Sequence, residues 1–297
     1  MPRAVWILEL AFLVAIGQVA GAQRVRLDSI ATADTSLRHE TRLRDGSRLV
    51  GRIVAVTGDS VRIQLRSGPV TIARSEIAEV RQFGAADLHH GEYWAENPNP
   101  TRLLFSATAY PLGRGDGYYW NAWFFVHGFA YGASDRFTIG GGFSLVPGVD
   151  FGHNFFFITP KFTLTSGSGP QAAIGALAGF LPGVGSSGKG ASLGILYGVS
   201  SLGSRENNLT AGLGWGYVNS DIANNPVVML GGEARVSRRV GLITENWFVP
   251  VDGRFPGLLS YGFRFLGEKL SVDLAFVNGT ERMIFPGVPW LGFAVKF

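Results

Sequence analysis

The sequence predicts an all-β protein: an antiparallel, membrane-spanning barrel of about twelve strands preceded by a small, separate β-domain. Three observations carry this. Charged residues make up only 16% of the 297 positions, against about 25% in a typical soluble chain. Past the N-terminus no apolar run reaches the roughly 18 residues a membrane helix needs. From Pro100 onward, apolar residues recur at every second position, and 42 glycines, 22 Phe, 8 Tyr and 7 Trp accompany them. A weakly charged, aromatic, period-two chain fits a sheet that meets lipid on one face.

The first segment, residues 1–22, reads as a secretory signal peptide. Arg3 supplies the positive start, Ala4 to Ile16 the apolar stretch, and Ala20-Gly21-Ala22 the small residues a peptidase reads. Cleavage is expected before Gln23, with Glu9 a departure from the usual apolar stretch. The sequence has no cysteine, which excludes disulfides, thiolate metal sites and a cysteine nucleophile. The net charge of +4 is spread along the chain without a basic run, so nucleic acid is not an expected partner.

Residues 23–40 are expected to be a linker. Between 23 and 96 charge is dense and balanced, eleven Arg against ten Asp and Glu. From 41 to 82 short alternating runs are separated by Asp45-Gly46, Gly58-Asp59 and Ser67-Gly68, which are hairpin signals. Val61, Ile63 and Leu65 alternate with Arg62, Gln64 and Arg66. The stretch Leu43-Arg44-Asp45-Gly46-Ser47-Arg48-Leu49-Val50-Gly51-Arg52-Ile53 resembles the opening of an Sm-like domain. That resemblance implies a small SH3-like barrel. The Asp and Asn positions that hold RNA bases in that family have no match here, so RNA binding is not carried over. Behind a signal peptide the module would meet a periplasmic protein or peptidoglycan. Residues 83–100 read as a second linker, with His89-His90 beside Glu92 on a solvated stretch lacking metal-ligand spacing.

The barrel is expected over 101–297. Its candidate strands are 103–109, 119–131, 136–146, 154–165, 171–181, 190–200, 207–217, 227–236, 240–249, 255–266, 269–277 and 288–297. In the eleventh, Leu270, Val272, Leu274 and Phe276 oppose Lys269, Ser271, Asp273 and Ala275. Backbone groups in lipid must all be paired, so strands of this kind are viable only when the sheet closes. Short connections at 134–135, 167–169, 203–205, 238–239 and 267–268 alternate with longer ones at 110–118, 147–153, 182–189, 218–226, 250–254 and 278–287. Short turns face the periplasm and long loops the outside, so both barrel termini should be periplasmic.

The whole pattern is similar to bacterial outer-membrane β-barrel proteins with a small periplasmic domain. The resemblance implies an outer-membrane location, lipid contact and handling by the barrel-assembly machinery. Phe293, Val295 and Phe297 then stand as the C-terminal insertion signal. Trp120, Trp215, Tyr217, Trp247 and Trp290 are expected in the interfacial girdles.

Function would reside on the inward face. Alternation places Lys161, Glu233, Arg235, Glu245, Arg264, Asp273 and Lys296 there as candidate lumen-lining residues, with Gly140, Gly142, Ser192, Gly194 and Gly198 leaving space beside them. Mixed signs suggest mutual ion pairing in a narrow interior, or a polar lining a small solute could follow. The expected role is structural, sensing or small-solute passage. The alternative is a barrel hydrolase of lipase or protease type. The outer-membrane phospholipase uses Ser, His and Asn on its outer wall, but His153-Asn154 has no Ser two residues on, and the facing of His127 is ambiguous. Asp150 and Asp221 would have to meet a His for proteolysis. No catalytic, metal or cofactor residue is assigned. The stretch from Gly183 to Gly190 lacks the ending of a phosphate loop.

Overall fold

The computed structural model describes residues 23–84, 88–89, 91–165, 167, 169–183, 190–250, 254 and 256–297. The expected signal peptide, His90 and most of the Gly183–Gly190 stretch lie outside these. The chain divides between Glu96 and Asn97 into two compact units.

The first unit contains β1 (Gln23–Arg24), β2 (Leu37–Leu43), β3 (Arg48–Val56), β4 (Ser60–Leu65), β5 (Gly68–Ala73) and β6 (Ile77–Gly84). They form one antiparallel sheet in the order β1-β6-β2-β3-β4-β5. Alternation drives the packing: Ile53, Val61, Ile63, Ile77 and Val80 make a buried cluster. Gly51 is needed where β3 meets β4, because a Cβ there would run into the Gln64 carbonyl. β1 and the start of β2 occupy the stretch expected as the first linker. β7 (Leu88–His89) and β8 (Glu92–Tyr93) pair within the second one. His89 lies against Trp94, ring centroids 5.0 Å apart.

The second unit is a closed antiparallel barrel. Its strands are β9 (Gly117–Ala122), β10 (Val126–Gly132), β11 (Phe137–Ser144), β12 (Phe156–Ile158) with β13 (Lys161–Thr163), β14 (Gln171–Leu181), β15 (Ala191–Gly203) and β16 (Asn207–Val218). After the short β17 (Asp221–Ile222) come β18 (Val227–Ser237), β19 (Val240–Phe248), β20 (Gly257–Leu266), β21 (Leu270–Gly279) and β22 (Val288–Lys296). β12 and β13 are one strand interrupted at Thr159-Pro160, where proline has no N–H to give the ladder. Each strand pairs with the next, and β22 pairs with β9 from Gly292↔Ala122 to Lys296↔Tyr118. Twelve strands therefore close on themselves.

The count agrees with the sequence expectation, but two of the expected strands are different. Residues 103–109 are not a wall strand. Residues 119–131 are two strands joined by a tight turn at Trp123-Phe124-Phe125, where Trp123 and Phe124 adopt φ of 51° and 62°. A hairpin there explains the confused alternation, since the turn resets which residues face out. The longer loops at 145–155, 219–226 and 280–287 lie at one end with this turn. The short turns at 204–206, 238–239 and 267–269 lie at the other, with both ends of the barrel chain.

The outer wall is apolar and exposed, including Leu209, Leu213, Phe263, Phe265, Leu270 and Leu274. No described helix is long and apolar enough to cross a membrane. A closed sheet with a belt of this kind is a transmembrane barrel of the outer-membrane type. Trp215 and Tyr217 belong to the outward face. Trp120 and Trp290 do not: they are buried inside, and Trp247 also lies on the inner face. Ser192, Gly194 and Gly198 likewise point outward. The inward residues of β15 are Ile195, Tyr197, Val199 and Ser201, one position out of phase with the expectation. Glycine and serine run through both faces of β15, so polarity alone misjudged its phase.

Candidate functional site: the barrel interior

The interior is occupied by the chain itself. Asn97 enters at the short-turn end, where its N–H donates to Glu206 at 2.8 Å and its side-chain amide donates to Glu233 at 3.1 Å. The segment runs inward, reverses, and returns to begin β9 at the same end. Its reversal is a small hairpin: Arg102 bridges to Ala107, Leu103 N–H donates to the Ser106 carbonyl at 2.9 Å, and Thr108 N–H to the Thr101 carbonyl at 3.0 Å.

An irregular segment inside a barrel leaves backbone groups without ladder partners, and each must be satisfied. The inward polar side chains do this. Lys161 Nζ donates to the carbonyls of Thr108 and Tyr110, 2.7 Å each. Arg264 Nη2 donates to the Leu103 carbonyl at 2.8 Å. Glu245 accepts from the N–H groups of Phe105 and Ser106 at 2.9 and 3.0 Å, and from Trp247 Nε1 at 2.6 Å. Ser201 and Thr138 hydroxyls accept from Ala109 and Leu112 N–H at 3.0 and 3.1 Å. Gly231 leaves space for Leu103, whose Cδ1 would sit 2.6 Å from an added Cβ.

Lys161, Glu233, Arg235, Glu245, Arg264, Asp273 and Lys296 are all buried. Arg264 gathers two acids, Asp273 at 2.6 Å through Nε and Glu233 at 2.6 Å through Nη1. Arg235 pairs with Glu206 at 2.6 Å, and Lys296 lies 4.0 Å from Asp116. Lys161 and Glu245 instead bind the inserted backbone. The sequence does not show that role, because it assigns residues 97–112 to the end of a linker, a first strand and the start of a long connection. The available signal was the weak alternation of 103–109 and the prolines at 98, 100 and 111.

Beside the hairpin lies a cavity of about 120 Å³. Phe157, Leu177, Ile195, Met229 and Trp247 are among its walls, and Arg102 and Ser106 reach it from the hairpin. Arg102 also lies 4.2 Å over the Trp120 ring.

The hydrolase candidates are dispersed. His127 faces outward, its Nδ1 2.7 Å from the Tyr119 hydroxyl and 3.4 Å from the Asn121 amide, with its ring stacked on Phe143. Asp150 and His153 lie exposed on the loop after β11, and Asp221 is exposed in β17. No metal-binding cluster is present among the described residues. Phe293 and Val295 lie on the outward side of β22, and Phe297 N–H donates to the Gly117 carbonyl at 2.9 Å.

No protein-family profile matches the chain, and no curated protein does. Among solved structures, the chain is similar to the KdgM porin in complex with disordered oligogalacturonate, at 7% identity and a TM-score of 0.41, over 61% of this chain and 95% of that one. It is similar to the NanC porin at 8% identity and a TM-score of 0.39, over 61% and 97%. It is also similar to OmpT, an outer membrane protein of Vibrio cholerae, at 9% identity and a TM-score of 0.35, over 95% and 99%.

Proposed function

We propose that this is an outer-membrane protein that passes a small solute, and that residues 97–112 are its gate. The observation that carries the reading is the inserted segment. It enters and leaves at the short-turn end, and its backbone is held by side chains rather than by strand pairing. A plug held in this way can move without breaking the wall, whereas a wall strand cannot. The charged interior supports the reading, because the groups that hold the hairpin would line the lumen once it withdraws.

The rest of the proposal follows the sequence. Residues 1–22 would direct export, and Phe293, Val295 and Phe297 would mark the barrel for insertion. Residues 41–82, the Sm-like stretch, would lie in the periplasm and meet a protein or peptidoglycan there. Planar-bilayer recording on the full chain tests the gate. The intact protein should be mostly closed, and replacement of 98–112 by a Gly-Ser linker of equal length should give steady conductance. Equal silence from both proteins, with the variant still a folded barrel, would remove the passage reading.

A further inference from the structure

We propose that the interior cavity is a binding site for an amphipathic monoanion, a carboxylate head on a medium-length alkyl chain. The inference goes beyond solute passage and does not depend on it, since a closed barrel could hold such a ligand.

The head site is Arg102. Its side chain is buried, with 5% of the residue exposed, yet Nε and Nη1 have no protein partner. Its Nη2 has one when the Asn99 amide oxygen faces it, at 3.2 Å. Beside it, the buried Ser106 hydroxyl also lacks a partner. A buried donor left unsatisfied is costly, more so when charged, and Arg102 and Ser106 both belong to residues lining the cavity, so an acceptor drawn in beside them would complete two guanidinium N–H groups and a hydroxyl. A planar guanidinium edge matches a carboxylate in charge and geometry.

The charge around the cavity agrees. Its charged lining residues are Arg102 and Lys161, both cationic, and no carboxylate lines it. Lys161 is already committed to backbone carbonyls. The neighbouring acid Glu245 is turned to three N–H donors. Arg102 is thus the cation left with donors to offer.

The rest of the lining is mostly apolar, with hydroxyls at Thr101, Tyr118, Thr138, Thr159 and Tyr197. Phe157, Leu177, Ile195 and Met229 offer no hydrogen bonds, and a polyhydroxylated acid would lose its water without replacement along them. Space remains at Gly212, where an added Cβ would meet nothing closer than 3.5 Å.

The test is equilibrium dialysis of labelled decanoate against the full-length protein in neutral-lipid nanodiscs, with empty discs subtracted. Decanoate should bind saturably at one site, decanol at least tenfold more weakly, and gluconate not measurably. Arg102→Gln should weaken decanoate at least tenfold while leaving decanol unchanged. Gly212→Leu, which fills the cavity from the opposite wall, should abolish binding of both. Heat-modifiable migration checks that each variant is a folded barrel. If Arg102→Gln does not fold, the decanoate–decanol ratio and Gly212→Leu decide. Equal affinity for decanoate and decanol, gluconate binding as well as decanoate, or unchanged binding in either folded variant overturns the proposal.

Discussion

Arg264 donates to Glu233 at 2.6 Å across the inside of β19, which lies between their two strands in the wall. The same guanidinium holds Asp273 on the adjacent strand and the Leu103 carbonyl of the inserted hairpin. One side chain therefore ties three wall strands to the plug, and this sets what its loss should do.

Arg264→Met leaves two buried carboxylates without their cation. Removing one partner of a buried ion pair costs about 3–5 kcal/mol. Urea unfolding in phospholipid vesicles should show a loss of that size. Arg264→Met combined with Glu233→Gln and Asp273→Asn should recover part of it. A loss below about 1 kcal/mol in the single variant would mean the cluster is not a structural clamp.

Lys161→Met should loosen the hairpin and spare the wall. Charge-assisted hydrogen bonds contribute about 1.5–3 kcal/mol each, so amide exchange across 101–110 should accelerate about tenfold or more. Exchange in β19 to β21 should stay as it is. Uniform acceleration through the barrel would show that plug and wall open together.

The outward phase of β15 and β16 can be tested with single charges. Leu213 lies mid-strand and faces out, so Leu213→Arg should cost about 2–4 kcal/mol in a bilayer. Leu202, near the short-turn end, should tolerate the same change for about 0–1 kcal/mol. Equal costs at the two positions would contradict the depth assigned to them.

His39 gives the N-terminal unit a pH dependence. It is fully buried in β2, and its Nδ1 accepts from the Ile53 N–H at 3.3 Å. Burial holds its pKa below the usual value of 6.5, and the Arg38 charge adds to this, while a hydrogen bond donated to the Gln82 side chain opposes it. The folded unit thus binds the proton less readily than the unfolded chain. Its stability should be complete above about pH 6.5 and fall as pH drops through that value, by no more than about 1.4 kcal/mol per pH unit. Exchange protection of 39–53 in the full chain, followed from pH 7.5 to 5, measures it, and His39→Gln should flatten the profile. A wild-type profile already flat would refute the account.

Much of this architecture was written locally. The period of two in residues 269–277 and 291–297, the low charge and the alternation of short and long connections are enough to specify a closed, lipid-facing sheet. The same local rule placed Lys161, Glu233 and Arg264 on one face, because a strand must turn every second residue inward. It failed where local pattern carries no phase: at the Trp123–Phe125 turn inside 119–131, and on β15, where small residues run through both faces.

What the sequence alone determined is therefore most of the wall: ten of its twelve strands, its apolar outside and the identity of its inward charges. What only the tertiary structure decided is what those charges touch. Residues 103–109 have strand-like composition, and nothing local distinguishes a chain that joins a wall from one that folds inside it. The difference arises from distant partners, since the backbone of 97–112 is satisfied by Lys161, Glu245 and Arg264 rather than by a neighbouring strand. Such contacts exist only once the barrel has closed, and the unpaired edge of Arg102 becomes a feature of the molecule only at that point.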